Sequence, residues 1–157
     1  MVDDILGLRK ILKETNTIAM VGLSDKWHRP SNFAAKYLID HEYEVIPVNP
    51  AYKEVLGQKC YKSLLDIDRE VDVVDCFRKS EEIPGIAEQA IKIGAKVLWM
   101  QLGIENKEAM EIAEKAGLLV VMNRCMKIEH GRLFGGLNFI GVNTSVISSR
   151  RPKWLTY

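Results

Sequence analysis

The chain is 157 residues long, with 47% apolar residues, 27% charged residues and a net charge of +1. These values suit one globular domain, residues 1–157 with a C-terminal tail from about residue 140, and near-neutrality excludes a global attraction to nucleic acid or an anionic membrane. Three widely spaced cysteines, Cys60, Cys76 and Cys125, point to reduced thiols in a cytoplasmic protein, not to a disulfide framework, and no spacing suits zinc.

The opening "MVDDILGLRK" is acidic first and unlike a signal peptide, and no apolar run approaches the ~20 residues that cross a bilayer. Ile5, Leu8, Ile11 and Leu12 recur at helical spacing, which predicts a helix over 3–15. "TIAMV", residues 17–21, reads as a strand ending at Gly22. Phe33, Ala34, Tyr37 and Leu38 mark a helix over 31–41. "YEVIPVNP" is a second strand, stopped by Asn49–Pro50, and "VDVVDCF", 71–77, a third. A helix follows from Ser80 to Gly94, then a strand in "AKVLWMQ", a helix over 106–116, a strand in "LLVVMN" and a last helix over 124–134. Strands alternating with helices imply right-handed βαβ units. The predicted fold is therefore α/β, a Rossmann-like doubly wound parallel five-stranded sheet of order 3-2-1-4-5 with helices on both faces.

In such sheets ligands sit beyond the carboxyl ends of the strands. After the first strand, Gly22 permits a tight turn, Ser24 offers a hydroxyl, and the next helix aims its N-terminus at the same place. Lys26 and Arg29 add charge, and Ser31 and Asn32 can cap the helix or donate to an anion. The same residues also suit a plain strand-to-helix connection with an exposed Arg. After the second strand, Asn49, Pro50 and Lys53 stand where a dinucleotide site expects a carboxylate on the ribose. Lys53 favours a phosphate there, as in NADP or coenzyme A; the alternative is a turn with a solvated Lys. Phe77, Arg78 and Ser80 follow the third strand, Ser80 also being expected to cap a helix. Gln101 follows the fourth and can hydrogen-bond a ligand amide. Cys125, at a predicted helix start, is either a thiol of lowered pKa or a small buried residue. His28, His41 and His130 lie far apart, and no nucleophile, base and oxyanion site assemble in the sequence.

The stretches "VGLSDKWHRPS", "VIPVNPAYKEVLGQKCYKSLLDI", "VDVVDCFRKSEEIPGIAEQAIKIGAKVLWMQLGIEN" and "GLLVVMNRCMKIEH" together resemble the small single-domain CoA-binding protein family. That family is similar to the CoA-binding domain of the succinyl-CoA synthetase α subunit. The resemblance implies a Rossmann-like domain that binds coenzyme A through its ADP portion. It places Gly22, Ser24 and Arg29 at the phosphates and Asn49, Pro50 and Lys53 beside the ribose and its phosphate. Phe77, Arg78 and Ser80 fall on the adenine side, and Gln101 toward the pantetheine arm. The synthetase's phosphorylated histidine belongs to a second domain that this chain is expected to lack, so synthetase activity is not carried over.

Three readings stand at this stage. The first is a non-catalytic module that carries, senses or presents CoA or an acyl-CoA, with an unidentified protein partner or a second copy as company. The second is an NADP-dependent oxidoreductase, for which no proton donor is evident. The third is a thiol regulator joining Cys125 to the CoA thiol.

Overall fold

The computed structural model describes residues 1–134. The expected tail, with its basic Arg150, Arg151 and Lys153, lies outside the described residues. Helices α1 (Ile5–Glu14), α2 (Pro30–Asp40), α3 (Ile83–Lys92), α4 (Lys107–Lys115) and α5 (Met126–Leu133) alternate with the strands. These are β1 (Thr17–Val21), β2 (Glu44–Val48), β3 (Glu54–Val55), β4 (Gln58–Lys59), β5 (Val73–Cys76), β6 (Val97–Met100) and β7 (Leu119–Val121). Each long helix and strand was expected from the pattern, with ends that agree or differ by one to several residues. The hairpin β3–β4 was not.

Five strands form a parallel sheet in the order β2-β1-β5-β6-β7. The doubly wound parallel architecture is the expected one, but the segment in third place differs. The predicted third strand, now β5, lies on the far side of β1 from β2. The position outside β2 is held instead by Tyr61, in a single parallel bridge to Val48. Tyr61 donates to Pro47 O and accepts from Asn49 N–H, both at 2.9 Å. Counting that bridge as the third element gives the progression 3-2-1-4-5-6, which contains the expected 3-2-1-4-5 pattern. The physical reason is length. One bridging residue closes the edge of β2, too little for a hydrophobic period to reveal.

Alternation along the strands divides the core in two. Ile18, Met20, Val73, Val97 and Trp99 pack under α1, α2 and α5. Ala19, Ile46, Val74, Leu98 and Met100 pack under α3 and α4. Asp4 caps α1 by accepting from Gly7 N–H at 2.8 Å, and Asn106 caps α4 from Ala109 N–H at 2.8 Å. Asp72 binds the entrance of β1 through the N–H groups of Asn16 and Thr17, at 2.9 and 3.1 Å, and pairs with Lys96 at 2.6 Å. These ties hold the amino ends of the strands. The carboxyl ends are left open between α2, α3 and α5.

Candidate functional site

The loop after β1 is shaped by Gly22, whose φ is +87°. A Cβ there would lie 2.4 Å from the Phe77 carbonyl oxygen, so the backbones after β1 and β5 meet only because the residue is glycine. Gly22 N–H donates to Val48 O at 2.8 Å, which joins the loop to β2 as well. Side chains then brace it. Ser24 N–H donates to Ser31 Oγ at 3.1 Å, Asn32 Nδ2 donates to Ser24 O at 2.9 Å, and Asn49 Nδ2 donates to Leu23 O at 3.0 Å. Ser31 and Asn32 are buried. Neither caps α2: its N-cap is Arg29, which makes no side-chain cap bond, and Pro30 opens the helix.

Three cavities open along the carboxyl ends. A polar one of about 300 Å³ is lined by Gly22, Ser24, Lys26, Arg29, Ser31 and Asn49, with Tyr52 alongside. It adjoins a larger one of about 840 Å³, the two sharing Pro30 and Phe77. The larger is walled by Leu102, Ile104 and Ile128, with Gln101 and Cys125 also on its surface. A third, of about 200 Å³, lies beside Val48, Pro50, Lys62, Ser63 and Arg78. Arg78 also borders the large cavity and sits 3.7 Å from Glu82. A polar pocket with two cations beside a larger apolar cavity, which in turn shares Arg78 with a third pocket, can hold an anionic ligand that carries an apolar arm.

Most of the predicted residues meet here, and the exceptions are instructive. Lys53 lines none of the three cavities; Lys62, which the sequence does not single out, joins Arg78 in the third. Tyr52 was likewise missed, although an aromatic two residues after Asn49–Pro50 was a usable signal. Asn32 braces the loop without reaching the polar pocket. Ser80 lies outside the three cavities and does not cap the helix as expected. It starts a 3₁₀ turn, Ser80–Glu82, whose leading N–H, from Lys79, is taken by Glu82 Oε2 at 3.2 Å. Ser80 Oγ instead accepts from Glu105 N–H at 3.2 Å, and its carbonyl from Asn106 Nδ2 at 2.8 Å. Its hydroxyl ties α3's approach to the loop before α4.

Cys125 does start α5, as its N-cap, and of its two readings the buried thiol fits, not the one of lowered pKa. Burial pushes the thiol up, against the N–H groups of Ile128 and Lys127, and the nearby Asp75 adds to the rise. Asp75 is fully buried and its pKa is raised to about 7, because burial outweighs the hydrogen bonds it accepts. Gln101 Nε2 donates to both its oxygens, at 2.7 and 2.9 Å. Trp99 is core, its indole N–H bonded to Arg124 O at 2.7 Å.

The histidines, far apart in sequence, are partly gathered by the fold. The rings of His41 and His130 lie 5.0 Å apart, and Tyr37 OH is 3.1 Å from His130 Nδ1. This cluster packs α2 on α5, away from the three cavities. Glu129 does not pair with its neighbour His130; it is held by Arg124 and Arg132. Among the described residues no group of His, Cys, Asp and Glu could hold a metal ion, and no helix is long and apolar enough to cross a membrane.

Known proteins are similar to this chain in sequence and fold. A Bacillus subtilis protein, the uncharacterized YneT, is 42% identical over 123 residues, covering 78% of this chain and 91% of its own. The structure of a hypothetical protein from Pyrococcus horikoshii superposes with a TM-score of 0.82 at 50% identity, over 84% of this chain and 93% of that one. An ADP-forming acetate–CoA ligase from Methanocaldococcus jannaschii is 27% identical over 128 residues, which span 76% of this chain but 18% of the ligase. Residues 16–131, from the start of β1's approach to the last turn of α5, match the family described as CoA binding domain. That match takes in all three cavities and most of the chain, and the protein belongs to the CoA binding domain family.

Proposed function

We propose that the chain binds coenzyme A, or an acyl-CoA, across the three cavities, as a carrying, sensing or presenting module without chemistry of its own. The observation that carries this reading is the polar pocket at Gly22, with Lys26 and Arg29, opening past Phe77 into the larger apolar cavity. The diphosphate takes the polar pocket, where Lys26 and Arg29 stand and the positive end of α2 begins. The adenosine and its 3′-phosphate turn toward Lys62 and Arg78. The pantetheine arm runs over Leu102, Ile104 and Ile128 toward Gln101 and Cys125.

The residue after β2 argues against a nicotinamide dinucleotide. Asn49 donates to Leu23 O and accepts from Ala51 N–H, at 3.0 Å each, and it supplies no carboxylate to accept from two ribose hydroxyls. Isothermal titration with CoA, acetyl-CoA and NADP tests the reading, together with mass spectrometry of whatever copurifies with the native protein. Binding of CoA without NADP is expected. NADP binding without CoA would sink it.

A further inference from the structure

Asp75 occupies an unusual place. Its Cα partners across the sheet are Met20 in β1 and Trp99 in β6, both core residues beneath α1, α2 and α5. A carboxyl group is thus set, fully buried, in a row of apolar side chains. Such a position is costly unless the group has a specific task or a specific partner. The partner is Gln101, itself 3% exposed, which directs its amide nitrogen at both carboxyl oxygens. The other bond Asp75 accepts comes from the Cys76 backbone N–H.

This pairing decides which way the Gln101 amide faces. Its nitrogen can only donate and its oxygen can only accept. Above about pH 7, where Asp75 is ionised and can only accept, an overturned amide would set its oxygen against the Asp75 oxygens and leave the buried carboxylate without a side-chain donor, a loss that the alternative orientation avoids. Gln101 Oε1 is therefore left over. It accepts no hydrogen bond among the described residues, yet no buried side-chain oxygen there lacks a partner, so Oε1 is not sealed in the core. The surface that Gln101 does reach is the large cavity, beside Cys125.

We propose that Asp75 is a positioning residue that locks the Gln101 amide with its carbonyl oxygen toward the large cavity, so that the site engages its ligand there through a hydrogen-bond donor. On the reading that coenzyme A binds in this groove, on which this inference rests, the donor is an amide N–H or the thiol of the pantetheine arm. A thioester carbonyl, which only accepts, finds no partner at Gln101. The pair thus sets the polarity of the arm's binding site, while the phosphates are held elsewhere by Lys26 and Arg29.

The test compares CoA with 3′-phospho-ADP, the same ligand without its arm, by titration at about pH 8, where Asp75 is ionised, against the parent, Gln101→Met and Asp75→Asn. Gln101→Met keeps the volume and removes the acceptor. It is expected to weaken CoA roughly threefold to tenfold, the worth of one hydrogen bond, and to leave 3′-phospho-ADP unchanged. Asp75→Asn lets the Gln101 amide satisfy itself either way up, so about half of the molecules present the oxygen and CoA weakens roughly twofold. In the parent, the Gln101 side-chain amide protons, identified by their loss in Gln101→Met, are expected to be protected from solvent exchange with and without CoA. In Asp75→Asn that protection is expected to vanish. An unchanged CoA affinity in Gln101→Met, or an equal loss for both ligands, overturns the proposal. So do rapidly exchanging Gln101 amide protons in the parent, which decide the matter even if Asp75→Asn does not fold. If the parent binds 3′-phospho-ADP but gains nothing from the arm, this inference fails and the nucleotide site stands. If it binds neither, the coenzyme reading fails first.

Discussion

Replacing Gly22 by alanine tests the close approach on which the polar pocket stands. With φ at +87°, any side chain there costs about 1–2 kcal/mol of backbone strain. The new Cβ would also lie 2.4 Å from Phe77 O and 2.9 Å from Arg78 Cδ. The Arg78 side chain can swing away. The Phe77 carbonyl cannot move alone, because Phe77 N–H donates to Val21 O at 2.9 Å and Gly22 N–H to Val48 O at 2.8 Å. Relieving the clash loosens at least one of these bonds, each worth about 1 kcal/mol, and disturbs packing around them. The sum is about 3–4 kcal/mol. Gly117 serves as the control: its φ is +90°, and an added Cβ meets nothing within 4 Å. Gly117→Ala should therefore carry the strain alone, about 1–2 kcal/mol. Urea unfolding of both variants, followed by circular dichroism, measures the difference, expected at about 2 kcal/mol. Equal destabilisation in the two would refute the reasoning, leaving Gly22 needed for its dihedral angle only and not for the contact between the β1 and β5 loops.

Arg29→Ala should weaken CoA by about 1–3 kcal/mol in titration calorimetry, with little effect on thermal unfolding because the side chain is exposed; an unchanged affinity removes Arg29 from the site. Lys62→Ala should reduce the preference for CoA over its 3′-dephospho form, whereas Lys53→Ala should not, and the opposite ranking would return the 3′-phosphate to Lys53. Asp75 gives a pH dependence of stability. Its pKa rises from 3.8 to about 7 on folding, so the native state holds the proton more tightly. Its contribution is full below about pH 4 and is lost as the pH rises through about 7, on the order of 4 kcal/mol in all. Urea midpoints from pH 4.5 to 8 should show that decline in the parent and a flatter profile in Asp75→Asn; parallel profiles would mean the carboxyl group titrates normally.

The layered α/β fold was legible because its signals are long. Four- and five-residue apolar strands and amphipathic helices such as Leu8–Ile11–Leu12 repeat their period often enough to be read locally. The hairpin β3–β4 was not legible, since its strands are two residues each and its turn places Leu56, a poor residue for the purpose, at φ +52° beside Gly57. The same brevity hid Tyr61 at the edge of β2 and, next to it, Lys62. Ser80 failed as a cap because it followed a general preference, while Glu82 reached the leading N–H first. For Cys125 the sequence left an activated and a buried thiol both open, because helix position was visible in it and burial was not.

Local chemistry along the chain was enough for the elements, for the strand ends as the place of the site, and for the glycine turn with its cations, since each depends on neighbours within a few residues. Which cations share a pocket, which hydroxyls brace a loop, and that Asp75 and Gln101 meet were decided only in three dimensions. Asp75 and Gln101 are 26 residues apart and adjacent only because β5 and β6 pair in parallel register. Burial and the direction of a hydrogen bond are properties of that packed pair. No residue carries them alone.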